Sequence, residues 1–243
     1  MKKQIRQSGL LSIIYLASGS LMAQAEKTVL DKASGHQVIK DKFIEGDPVW
    51  MTPVLVCFLV GLTIVIERLI TLYLSGINTN EFINRIEGIL KTEGPEAAKA
   101  ACKTSRGPVA SIYYQGLDRV SEGIEKVEAS VQSYGSVLMG QLEKGLVWIS
   151  LFIALSPMLG FLGTVVGMIQ AFDRIAEVGD ISPTIVASGI KVALLTTVAG
   201  LIVAIILQVF YNLILSKIDS IANDMEEASI ALTDMLIKNK ITQ

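Results

Sequence analysis

The sequence predicts an all-α integral membrane protein with three transmembrane helices, long cytoplasmic helical extensions and N-out/C-in orientation. Three observations carry that expectation. Residues 145–172 and 192–216 contain no Asp, Glu, Lys or Arg, and each is longer than the roughly 20 apolar residues a helix needs to cross a bilayer. Residues 49–66 form a third charge-free run, extended to about residue 74 by mostly apolar chain. Basic residues are unevenly placed. The stretch 75–144 carries Arg85, Lys91, Lys99, Lys103, Arg106, Arg119, Lys126 and Lys144, whereas 173–186 carries only Arg174. Positive-inside counting puts the first stretch in the cytoplasm and the second outside.

Composition agrees. Of 243 residues, 51% are hydrophobic and only 6% aromatic, and the net charge of −2 gives no electrostatic reason to expect nucleic acid. Cys57 lies in an apolar run and Cys102 in a polar one, so a disulfide framework is not expected. The lone His36 reads as a solvated side chain rather than a metal ligand. No metal-binding, phosphate-loop or nucleophile-elbow motif is present, so neither a metal, a cofactor nor an enzymatic activity is expected.

Residues 1–25 read as a secretory signal peptide. Lys2, Lys3 and Arg6 form a basic start, 9–22 an apolar run, and Ala23-Gln24-Ala25 a small-residue cleavage site. The competing reading is an uncleaved anchor. Residues 26–48 then form a polar extracytoplasmic segment. The first span, 49–74, has Pro48 and Pro53 near its start, where a missing N–H costs a helix least. Glu67 and Arg68 near its end are long enough to reach headgroups and are expected to anchor and pair there as membrane-boundary charges.

The region 75–144 is polar with helical patterning. Phe82, Ile83, Ile86, Ile89 and Leu90 make one apolar face before Gly94-Pro95, and an alanine-rich segment follows up to Arg106-Gly107-Pro108. From Val109 to Pro157 no proline intervenes. Val109, Ile112, Tyr113, Gly116, Leu117 and Val120, then Ile124, Val127 and Val131, keep an approximate helical period. The expectation is one helix over 109–172, on the order of 95 Å long at about 1.5 Å per residue. It includes the second span, 145–172. A polar extracytoplasmic loop is expected over 173–186, the third span over 187–216, and a cytoplasmic C-terminal helix over 217–243. In that last helix Ile218, Ile221, Met225, Ala228, Leu232 and Met235 repeat at three-four spacing, so it should pack against the long helix.

The second and third spans hold residues that lipid does not require. Gly160, Gly163 and Gly167 fall near one helical face, and Gly163-x-x-x-Gly167 is a small-x-x-x-small pattern of close helix contact. Pro157 removes one backbone hydrogen bond above it. Thr164 shares that face, and Thr196, Thr197 and Gly200 lie in the third span, Thr197 and Gly200 on one face. A threonine often bonds its own i−4 carbonyl. Three among glycines, at similar depth on two helices, favour a polar ion pathway or a partner-facing surface.

The same residues carry a resemblance. Ser156-Pro157-Met158-Leu159-Gly160-Phe161-Leu162-Gly163-Thr164-Val165-Val166-Gly167-Met168 is similar to the second-span signature of the MotA/TolQ/ExbB proton-channel family. Gly189-Ile190-Lys191-Val192-Ala193-Leu194-Leu195-Thr196-Thr197 through Gly200-Leu201 resembles its third-span motif, and Ile66-Glu67-Arg68-Leu69 the end of its first span. Three spans resemble ExbB and TolQ more than four-span MotA. The resemblance implies a homo-oligomeric ring, usually a pentamer, around a dimer of a single-span ExbD/TolR-like partner in the bacterial inner membrane. Ion flow, of protons or sodium, would then drive movement that reaches the envelope, for example through a TonB-like protein. Thr164 and Thr197 match the threonines that the family places beside the partner helix.

One departure stands out. The glutamate common in the third span of ExbB and TolQ aligns with Val192, and Lys191 stands beside it, read as a snorkelling interface charge with a charge gate as the alternative. A hydroxyl does not release and rebind a proton near neutral pH, whereas a carboxylate does. The titrating acid is therefore expected from the partner. The alternative is a nonconducting membrane scaffold that docks envelope or cytoplasmic proteins.

Overall fold

The computed structural model describes residues 35–76, 78–179 and 183–238, and the signal-peptide expectation over 1–25 lies outside them. The described residues are helical without strands: α1 Gly35–Glu45, α2 Pro48–Ser75, α3 Thr79–Thr92, α4 Pro95–Thr104, α5 Pro108–Asp118, α6 Ile124–Leu142, α7 Leu146–Val178 and α8 Pro183–Lys238, with a 3-10 turn Val120–Glu122 after α5. Three of them, α2, α7 and α8, hold stretches long and apolar enough to cross a membrane. The described residues form two compact units: 35–52 with those of 162–197, and those of 53–161 with 198–238.

Local chemistry sets the helix boundaries. Asp47, at φ +63°, ends α1, and its Oδ1 accepts the Val49 N–H at 3.0 Å, capping α2 just before its first proline. Asn78 caps α3 through the Glu81 N–H. Pro95 and Pro108 open α4 and α5 with their fixed φ, each after a glycine.

The single helix expected over 109–172 is instead three. α5 stops at Asp118, α6 begins at Ile124 and α7 at Leu146. The breaks fall at Gly123 and Gly145, with φ of +98° and +90°. Those values are costly for residues with a Cβ, so a chain without proline still interrupts its helix. The expected loop over 173–186 is also shorter as a break in helix, since α7 runs to Val178 and α8 resumes at Pro183.

The second unit has a core of large side chains. Phe82, Ile86 and Leu90 of α3 are buried, as are Val109, Ile112, Tyr113, Leu117, Val127 and Val131. The Phe82 and Tyr113 rings meet edge-on at 5.4 Å. Ile218, Ile221, Met225, Ala228, Leu232 and Met235 of α8 are all buried in the same cluster, so the C-terminal stretch is packed, not solvated on all sides. It meets α5, where a Cβ on Gly116 would stand 2.5 Å from Leu232, and it lines a cavity together with Val131 and Gln132 of α6.

Candidate functional site

In the unit that contains 162–197, α7 and α8 approach in antiparallel register. Ala171 faces Gly189, Gly167 faces Ala193, and Gly163 faces Thr196. The approach leaves no room for larger side chains. A Cβ on Gly163 would lie 2.7 Å from Thr196 Oγ1 and 2.9 Å from its Cβ, and one on Gly167 3.3 Å from Ala193 Cβ. The sequence pattern marks Gly163, Gly167 and Thr196 as site residues but passes over Ala171, Gly189 and Ala193. A signal exists, since Gly163, Gly167 and Ala171 continue the four-residue spacing. An alanine, however, is equally at home facing lipid.

Close approach brings hydroxyls together. Thr164 Oγ1 donates to the Ala193 carbonyl of α8 at 2.8 Å and shares a hydrogen bond with Thr197 Oγ1. Thr196 Oγ1, fully buried, donates to the same Ala193 carbonyl at 2.8 Å. Thr164 thus bonds across the helix pair, a contact that a merely local threonine hydroxyl does not make. Two threonines converge on one backbone oxygen, and the third joins them through Thr164. That cluster can relay a proton between oxygens or supply ligands to a cation, but it has no group that ionises near neutral pH.

Val192 lines a cavity of about 80 Å³ with Gln170, Arg174, Ser188 and the neighbouring small residues. No carboxylate is among the described residues that line it. Lys191, the preceding residue, is exposed, and its Nζ lies 3.1 Å from Glu45 Oε2 at the end of α1. Lys42 Nζ reaches the same oxygen at 2.6 Å. The hydrogen bond from Lys42, then that from Lys191, holds the Glu45 carboxyl below the usual carboxylate range. No sequence pattern marks Glu45, because its partner is 146 positions away.

The other unit holds the remaining predicted residues. Gly200 sits against α7: a Cβ there would stand 2.5 Å from the Ser156 carbonyl oxygen and 3.3 Å from Gly160 Cα. Pro157 is half-buried and α7 continues through it. Arg68 forms a two-bond pair with Glu67, Nε to Oε2 at 2.7 Å and a second at 3.0 Å. Its side chain is 12% exposed against 53% for Glu67. Arg68 lies against Gly145, where a Cβ would be 3.3 Å from Nε.

The family model of the MotA/TolQ/ExbB proton channel family matches residues 104–227, half of the chain. An ExbB homolog of Methanothermobacter thermautotrophicus is 31% identical over 153 residues, 63% of this chain and 54% of that protein. The biopolymer transport protein ExbB of Aquifex aeolicus is 30% identical over 118 residues, 46% of this chain and 80% of that protein. The chain therefore spans about half the length of the first of these relatives and most of the second. A structure of C. jejuni MotAB superposes with a TM-score of 0.60 over 93% of this chain and 89% of the other, at 17% identity, which is a likeness of fold. The family is one of proton channels and not a class of enzymes. With the family model, the ExbB relatives and the fold in agreement, the chain belongs to the MotA/TolQ/ExbB proton channel family.

Proposed function

We propose that this chain is the ring-forming subunit of a proton-motive-force-driven motor complex in the bacterial inner membrane. An ExbD/TolR-like single-span partner supplies the titrating acid, and the complex energises an envelope process such as TonB-dependent import. The observation that carries this reading is the cluster of Thr164, Thr196 and Thr197 around the Ala193 carbonyl, inside two apolar helices. One buried and two half-buried hydroxyls that meet across a helix pair suit an ion route. Their inability to ionise assigns the acid to another chain. The excess of basic residues in 75–144 supports N-out/C-in orientation. The polar helices between the first two spans then face the cytoplasm.

The test is partner-dependent ion flux in vesicles containing the complex. Thr164→Val with Thr197→Val keeps the shape of both side chains and removes both hydroxyls. The double variant is expected to assemble normally and to lose flux and coupled work about tenfold or more, an order-of-magnitude figure for removing two charge-relaying groups. Flux equal to wild type would reduce the threonines to packing. Absence of any flux in the wild-type complex, with proton or sodium gradients, would favour the scaffold reading, to which Val192 in place of an acid already points.

A further inference from the structure

Lys191 is the sole charged residue of α8 between Pro183 and Ser216. It immediately precedes Val192, which lines the cavity beside Arg174, and lies two residues before Ala193, whose carbonyl takes the threonine hydroxyls. On α7, Arg174 has Asp173 and Glu177 within a turn. Along α8 the nearest carboxylate to Lys191 is Asp219, so α8 itself offers it no counter-charge.

The structure supplies one from α1. Glu45 Oε2 lies 3.1 Å from Lys191 Nζ, and Glu45 is held in place by the turn that follows it. A Cβ on Gly46 would stand 2.7 Å from Met51 Cε, Asp47 takes a left-handed φ of +63°, and its side chain caps Val49. The end of α1 is therefore fastened to the start of α2, and Glu45 meets Lys191 from a fixed position. Lys42 shares the carboxylate, at 2.6 Å, from the preceding turn of α1.

We propose that Glu45 is a positioning residue for ion entry. It draws the Lys191 ammonium to α1 and offsets one of the two positive charges, Lys42 and Lys191, that meet there, so that a cation approaching the Thr164–Thr197 cluster is repelled less. The inference rests on the proposed function. Because both side chains are substantially exposed, 57% for Lys191 and 39% for Glu45, the effect is modest and screened by salt. Like charge at a narrow entrance lowers the local cation concentration and the entry rate.

The experiment measures initial flux in vesicles carrying the complex, for wild type, E45Q, K191Q and E45Q/K191Q, at about 10 mM and about 0.5 M salt, where the Debye length is roughly 30 Å and under 5 Å. E45Q is expected to slow flux about threefold at low salt and to match wild type at high salt, an order-of-magnitude figure for one exposed charge. Adding K191Q to E45Q should restore flux, and E45D should conduct like wild type. A double variant as slow as E45Q would show that Glu45 acts by securing α1, which overturns the charge argument. A conducting wild type matched by E45Q at low salt overturns this inference alone. A wild-type complex without flux overturns the proposed function and this inference with it.

Discussion

The core gathered by α3, α5, α6 and the C-terminal half of α8 is built from large side chains, whereas the α7–α8 seam is built from small ones. In the core Tyr113, Ile112, Ile86 and Leu232 are almost wholly buried. At the seam the contacts are Gly163 on Thr196, Gly167 on Ala193 and Gly189 on Ala171, while Phe161, Val165, Ile169, Leu194 and Val198 turn outward. The difference follows from the solvent. Water drives large apolar groups inward, but lipid offers them no such preference, so helices in a bilayer associate through close backbone approach and shared hydrogen bonds. A polar route is cheapest where side chains are small enough for hydroxyls to meet.

Three substitutions break or sharpen that contrast. The largest effect is expected in the core: Leu232→Ala removes a side chain with no exposed surface and should lower stability by about 2–5 kcal/mol, read by thermal unfolding of the complex in detergent. At the seam the damage comes from addition. Gly163→Ala places a methyl against Thr196 Oγ1 and Cβ and should cost about 1–3 kcal/mol through overpacking, with a parallel fall in flux. Melting unchanged from wild type would mean that the helices separate freely there. The smallest effect has the opposite sign. A methyl added at Gly135 in α6 would meet nothing within 4 Å, so Gly135→Ala should raise stability by about 0.5–1 kcal/mol through helix propensity alone. The same melting measurement checks it, and a lowered transition would mean that another surface covers that face of α6.

Periodic signals are legible wherever one face of a helix is buried. The three-four repeats ending in Leu232 and Met235, and those from Val109 to Val120, correspond to buried positions. Glycine at helix ends is not legible in the same way. Gly123 and Gly145 look like ordinary residues of a long helical pattern, and only their positive φ reveals the breaks. Within the candidate site, chemistry alone marks the threonines and glycines. The convergence on Ala193 depends on a backbone carbonyl, which every residue possesses and no sequence pattern marks. The Glu45–Lys191 pair joins residues far apart in the chain, a juxtaposition that involves the tight turn at Gly46-Asp47.

The break at Gly145 changes what kind of mechanical object this chain is. An unbroken helix would be a shaft, passing a twist applied at one end directly to the other through its own hydrogen-bond ladder. α6 and α7 form a jointed pair, and the joint rests against Arg68 of a neighbouring helix, itself fixed by Glu67. The interruption of the helical ladder at Gly145 thus falls where the Arg68 guanidinium stands.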